Sequence, residues 1–362
     1  MGVLRFLLAV CVVVGHTQFF MGNGFIGGPI AVEIFFIISG FYMSLILNEK
    51  YTGSGSYKLF ITNRFLKIYP SYFFVLLLTI VISLVYFKYT SHALYLQPYI
   101  SNIQSMPIPA TIILILSNII IFGQDIVMFL GVNIPSGTIE FVSNFRNTNP
   151  PLFTFLLIPQ AWSISIELMF YVIAPMLVRR SAIFITSMII GGLLFKYFFI
   201  INEMGLSWDP WTYRFFPSEI AYFLIGSLSY KINCAIKKNY TPLVKLISLM
   251  LFVTIIGMII EYRMYVSDYS YIYLMIASFI SIPFIFNLTK KSSIDRYIGE
   301  LSYPIYLIHF LVRATLSEYI DSYNLSAYKA EIITFVSILA AIAIVHIVIK
   351  PIDRYRQNRM VR

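Results

Sequence analysis

Long apolar runs, separated by short polar or basic stretches, recur from one end of the chain to the other. The clearest are Leu4–Phe20, Ile30–Leu47, Tyr72–Phe87, Ala182–Ile201 and Thr334–Ile349. A helical run of about 18 residues, rising about 1.5 Å per residue, is long enough to cross the hydrocarbon of a bilayer. The pattern therefore predicts spanning helices, with neither strand alternation nor a soluble amphipathic period. Composition points the same way: 59% of the 362 residues are hydrophobic and 12% are charged, against about 45–50% and about 25% in soluble domains. Such a chain lacks the polar residues to cover a water-exposed surface.

Basic residues give the spans a direction. They cluster at Lys50–Lys67, Arg179–Arg180, Lys231–Lys245, Lys290–Arg296 and Lys350–Arg362, and positive charge concentrates on cytoplasmic loops. Placing every cluster and both termini inside predicts ten spans, near 4–21, 29–48, 69–88, 152–178, 181–201, 215–232, 243–262, 269–289, 298–319 and 328–350. The expected fold is an all-α polytopic bundle of about ten helices forming one domain, 1–362. The apolar segment Ile108–Phe122 is short for a crossing and is opened by Pro107 and Pro109. Counting it as a further span would also put Arg179–Arg180 outside. It is therefore read as interfacial or re-entrant, within an extracytoplasmic region over 90–151.

The net charge of +10 fits loops facing anionic lipid, and no soluble basic stretch interleaved with aromatics suggests nucleic acid. Cys11 and Cys234 lie in apolar runs without metal or redox spacing, and no metal is expected. No A-x-A-like cleavage site follows the first apolar run, so the first helix is expected to stay.

Ionisable groups at membrane depth are expensive and mark candidate sites. Arg5 and His16 lie eleven residues apart on the first helix, close to three turns, so they share a face about 16 Å apart along the axis. A hydrogen-bonded structural histidine is the competing reading of His16. Glu33 precedes Ser39-Gly40 on the second helix, either as a hydrated carboxylate at the interface or as part of a site. Trp162, Ser163 and Glu167 crowd the fourth span, with Ser163 and Glu167 on one face. Ser302, Tyr306 and His309 form a stripe on the ninth, with Tyr303 beside it, fit for an internal network or for a substrate site. Arg64 and Lys67, three residues apart at a helix end, suit cytoplasmic anchoring or a phosphate clamp.

These segments, in this order, resemble the acyltransferase-3 family of membrane transferases, which includes bacterial O-antigen and exopolysaccharide O-acetyltransferases. The resemblance rests on Arg5 with His16, Gly28–Phe41, Arg64–Pro70, Gln160–Glu167, Arg214–Gly226 and Gly299–His309, and covers nearly the whole chain. Lys67 stands where the family usually has Arg, and Lys350-Pro351 where it often has Glu-Pro. The resemblance implies transfer of an acetyl group from acetyl-CoA to a hydroxyl of an extracytoplasmic glycan, in the cytoplasmic membrane of a bacterium. His16 would be the general base and Glu167 or Glu33 its orienting carboxylate; Arg5, Arg64 and Lys67 would hold the nucleotide. Ser39, Trp162, Ser163, Tyr303, Tyr306 and His309 would line or support the substrate site. The competing class is a transporter or flippase for a lipid-linked glycan, against which stands the lack of repeated halves.

Overall fold

The structure is a computed structural model describing residues 1–17, 19–201 and 206–361; Arg362, the end of the last basic cluster, lies outside the described residues. Every expected span falls on a helix. In chain order these are α1 (Gly2–Gly15), α2 (Gly27–Glu49), α3 (Ser56–Thr90), α4 (Gln97–Asn102), α5 (Ile108–Ile120), α6 (Trp162–Leu177), α7 (Ala182–Ile201), α8 (Phe216–Lys238), α9 (Pro242–Ile260), α10 (Ser270–Thr289), α11 (Ser293–Ser322), α12 (Lys329–Ile344) and α13 (Lys350–Val361). Among the described residues, seven helical segments are long and apolar enough to cross a membrane, and α1 and α5 are shorter apolar helices. The protein is an all-α polytopic bundle.

Two helices are shorter than the apolar pattern suggests. Helix α1 ends at Gly15, because the next two side chains turn back on the last turn. His16 Nδ1 lies 2.8 Å from the Val12 carbonyl, and Thr17 Oγ1 donates to the Val13 carbonyl at 3.1 Å. The Val13 and Val14 carbonyls also accept from the backbone amides of His16 and Thr17, at 3.1 Å each, so backbone and side chains together close the last turn. Helix α6 starts only at Trp162, after two 3-10 turns, Leu152–Phe155 and Pro159–Ala161. Pro159, inside the expected span, has no amide to give to a helix that began earlier.

The chain divides into two compact units, Met1–Lys67 with Ile173–Ile190 and Ala221–Arg362, and Ile68–Val172 with Gly191–Ile220. In the first, α1 packs against α11, α2 and α12, and α10 against α9 and α2. Glycines set the closest approaches. A Cβ on Gly2 would overlap the Asp295 carbonyl, and one on Gly299 would lie 2.7 Å from the Gly2 Cα. Small residues permit this backbone contact, the usual basis of tight helix pairing in lipid.

Asp295 locks the same crossing. Its carboxylate accepts from the backbone amides of Gly2 at 2.8 Å and Val3 at 3.0 Å, and from the Met1 amino group at 2.9 Å. It thus caps α1 from the first turn of α11, where the helix dipole favours an anion. Burial pushes the Asp295 carboxyl up, but the Gly2 amide, the Met1 amino group and the Val3 amide outweigh it and hold it below the usual carboxylate range. A depressed folded-state value means the stabilisation is present above the ordinary carboxylate pKa of about 3.9, and is lost as pH falls through the folded one. At neutral pH, Asp295→Ala is expected to destabilise the bundle by about 2 kcal/mol. A thermal melt in detergent reads this; a variant melting with the wild type would show that the clamp contributes nothing.

The second unit holds α5, a hairpin and a set of 3-10 turns. Helix α5 has 13 residues, about 20 Å of rise against a hydrocarbon core of about 30 Å. Asn118 anchors it: the side chain donates to the Phe155 carbonyl at 3.0 Å and accepts from the Leu157 amide at 2.7 Å. The strands β1 (Leu130–Asn133) and β2 (Thr138–Phe141) pair antiparallel around Pro135-Ser136-Gly137, a turn signal that was present in the sequence.

Candidate active site

In the first unit, α1 and α11 are held together at Gly2, Gly299 and Asp295, and bring two histidines together farther along. The His16 and His309 rings lie 5.4 Å apart between centroids and are tilted by 46°; Phe310 packs 4.7 Å from each. Both rings use Nδ1 on a carbonyl of their own helix, His16 on Val12 at 2.8 Å and His309 on Tyr306 at 2.7 Å. A carbonyl oxygen only accepts, so each Nδ1 carries the proton and each neutral ring keeps its basic lone pair on Nε2. His309 is 1% exposed, and its Nε2 has no hydrogen-bond partner among the described residues. A buried acceptor without a donor is costly unless a ligand hydroxyl or a protonated neighbour supplies one.

The rest of the stripe on α11 supports this arrangement. Ser302 Oγ donates to the Gly299 carbonyl at 2.7 Å, and Tyr306 is buried beside His309, 6.0 Å between ring centroids. Tyr303 is half-buried. On α2, Gly28 faces the His16 ring: a Cβ there would lie 3.6 Å from Cε1. Ser39 is buried on the same helix. Glu33 is 5% exposed and accepts from Tyr271 Oη at 2.7 Å. Tyr222 Oη lies 2.6 Å from Tyr271 Oη; with the Tyr271 proton directed at Glu33, the chain runs Tyr222 to Tyr271 to carboxylate. Sequence reasoning singled out Glu33 but missed both tyrosines, each an ordinary aromatic in an apolar run.

Arg5, Arg64 and Lys67 also belong to this unit. Arg64 is 9% exposed, with its guanidinium 5.9 Å above the Phe60 ring, whereas Lys67 is exposed. Arg179 serves the fold instead. Its Nη2 donates to the Leu47 and Tyr51 carbonyls at 2.8 and 2.7 Å, capping the end of α2.

Trp162, Ser163 and Glu167 lie in the second unit. Ser163 Oγ donates to the Gln160 carbonyl at 3.2 Å, and Tyr171 Oη donates to Glu167 one turn on. Arg214 lies 4.4 Å over the Trp162 ring, and its Nε donates to Asp209 at 2.7 Å. A guanidinium stacked on indole and tied to a carboxylate is held in one orientation. Ser165 donates to Asp125 at 2.6 Å and accepts from the Gly123 amide at 2.8 Å. Burial pushes the Asp125 carboxyl up to about 6, with the Ser165 hydroxyl and its own backbone amide acting against it. Asp125 was not singled out from the sequence, since it lies outside every expected span.

Among the described residues no group of three or more His, Cys, Asp or Glu side chains is placed to hold a metal ion. The first unit offers two imidazole rings beside one end of α1, with Arg5 toward the other end, and imidazole suits acid–base chemistry.

The comparisons with known proteins can be set against this geometry. An uncharacterized protein of Aquifex aeolicus (strain VF5) is 27% identical over 172 residues, covering 46% of this chain and 73% of that one. No solved structure matches. A family model described as an acyltransferase domain matches residues 1–350, which take in the second unit, most of the first and every candidate residue above, and the chain is therefore an integral membrane protein belonging to the acyltransferase-3 family.

Proposed function

We propose that the protein moves an acetyl group from acetyl-CoA to a hydroxyl of an extracytoplasmic glycan, with His16 as general base. The single observation that carries this reading is the His16–His309 pair, both Nδ1 atoms engaged by carbonyls, with His16 at the end of α1, the helix of Arg5, and His309 on α11. Family membership supports acyl transfer; the donor and acceptor classes rest on the motif resemblance.

In this mechanism the acceptor oxygen attacks the thioester carbonyl carbon while His16 Nε2 takes the hydroxyl proton. The tetrahedral intermediate collapses, the carbon–sulfur bond breaks, and the CoA thiolate recovers the proton from the His16 imidazolium. His309 Nε2 accepts a hydrogen bond from the acceptor hydroxyl or from the imidazolium, and so steadies whichever carries the proton. The nucleotide lies on the Arg5, Arg64 and Lys67 cluster, with the pantetheine arm running along α1 toward His16. The membrane is the cytoplasmic membrane of a bacterium, with both chain termini inside.

The test uses protein in native membranes supplied with acetyl-CoA labelled in the acetyl group. Label entering surface or lipid-linked glycan, with free CoA released in step, is the expected result. Glycan moved across the membrane without CoA release would instead make the protein a carrier.

A further inference from the structure

Buried polar atoms without partners gather on one face of α12. Ala330, Thr334, Ser337 and Ala341 are buried, whereas Phe335 and Leu339 on the opposite side are exposed; the helix packs against α11 and α1. Thr334 is 3% exposed and Ser337 0%, yet neither hydroxyl has a hydrogen-bond partner among the described residues. A serine or threonine in an apolar helix ordinarily turns its hydroxyl back onto the carbonyl one turn before. Ser248, Ser278, Thr289 and Thr315 all do so, at 2.7 to 3.0 Å. Thr334 and Ser337 do not, and the result is two unpaired hydroxyls in the interior.

Glu331 continues the stripe one turn toward the loop that follows α1. Its Oε1 accepts from the Met21 amide at 2.6 Å, and its Oε2 is buried with no partner among the described residues. Helices α11 and α12, joined by a short connection, run antiparallel, and away from that connection Tyr297 Oη lies 3.4 Å from His346 Nε2. Twelve residues on from Tyr297 is His309, and twelve back from His346 is Thr334. Equal steps of about 1.5 Å per residue bring the two to about the same height. His309 Nε2, buried and unpartnered, therefore lies level with Thr334 on the neighbouring helix, with the His16 ring beside it. Buried polar atoms are costly unless something pairs with them. His309 Nε2 and the Glu331 carboxylate only accept, so the missing group must bring donors. An ionised phosphate or a thioester carbonyl brings none; a sugar brings several hydroxyls, each able to donate and accept.

We propose that Glu331, Thr334 and Ser337 form the acceptor wall of the transfer site, binding hydroxyls of the sugar that presents its reacting oxygen to His16 and His309. This rests on the reading of the acceptor as a glycan. The amide N–H groups of a pantetheine arm are the other donor chemistry at hand, and the test separates the two.

The full-length protein is placed in nanodiscs with labelled acetyl-CoA. The acceptor is oligosaccharide released from the host's surface polysaccharide by mild acid and freed of O-acetyl groups by mild base. Initial rates are measured against each substrate in turn. Thr334→Val, which exchanges the hydroxyl for a methyl of like size, is expected to raise the KM for oligosaccharide about tenfold, the loss of one hydrogen bond. Its kcat and its KM for acetyl-CoA are expected to stay within about threefold of wild type, as for a contact made equally before and during reaction. Ser337→Ala is expected to behave likewise, and Thr334→Ser, which keeps the hydroxyl, to stay within about threefold throughout. Thr334→Val is also expected to melt no lower than wild type, because removing a buried unpaired hydroxyl relieves a cost; a much lower melt makes the hydroxyl structural and overturns the proposal. Wild-type KM for oligosaccharide in both Thr334→Val and Ser337→Ala overturns it while leaving the glycan reading intact. A raised KM for acetyl-CoA alone assigns the wall to the donor arm and also overturns it. A wild type that acetylates no oligosaccharide removes this inference and the acceptor reading together.

Discussion

His16→Ala is expected to lower the proposed acetyl transfer by about 10²–10⁴-fold, the usual contribution of a positioned general base, and to leave CoA affinity within about threefold of wild type if the base makes no uniform binding contact. His16 caps α1 and holds Nδ1 on the Val12 carbonyl, so its proton-accepting nitrogen has a fixed direction. Alanine removes that nitrogen and leaves the helix, whose contacts with α11 are made by Gly2 and neighbouring buried residues. His309→Ala is expected to cost about tenfold, one buried hydrogen bond, and the double variant little more than His16→Ala, because residues acting as a unit do not add. The readout is initial-rate transfer of labelled acetyl with protein abundance matched, together with rescue of His16→Ala by added imidazole. Equal rates in His16→Ala and wild type would move the chemistry elsewhere, and the Glu33–Tyr271–Tyr222 chain would become the next place to look.

Much of this was legible in the sequence because the bilayer imposes a one-dimensional rule. Helices must satisfy their own backbone in lipid, so apolar runs become helices; the span expected near 181–201 is α7, Ala182–Ile201. Arg5 and His16 were also within reach, since both lie on one helix or at its end. What escaped were bonds between residues far apart in the chain. Asp295 reaches Gly2 across 293 positions, and Tyr271 reaches Glu33 across 238; no periodicity encodes such pairings. The early end of α1 depended on side-chain capping by His16 and Thr17, a local event that hydropathy does not register.

The glycines of α2 and α8 lead to the largest structural effect. A Cβ on Gly226 would overlap the Ile37 carbonyl oxygen and lie 2.7 Å from the Phe41 amide nitrogen; one on Gly40 would overlap the Phe223 carbonyl oxygen. The two helices therefore cross backbone to backbone, and beside the crossing Phe36 stacks on Phe223 at 4.6 Å. Backbone has no rotamer with which to give way, so Gly226→Val must push α2 and α8 apart. Overpacking a core of flexible side chains costs about 1–3 kcal/mol, and this substitution is expected to exceed that range. It reaches function through the same geometry, because α2 carries Glu33 while α8 carries Tyr222, and Tyr271 must bridge them. The expected result is a protein that aggregates or loses its monodisperse peak on size-exclusion chromatography in detergent. Gly257→Ala in α9 is the contrasting case: nothing lies within 4 Å of a Cβ there, and replacing a helical glycine by alanine favours the helix by about 1 kcal/mol. Should Gly226→Val purify and melt like the wild type while Gly257→Ala does not, the helix crossing would not be what holds this bundle together; the opposite pattern places the stability of the Glu33 chain in two glycines that carry no chemistry of their own.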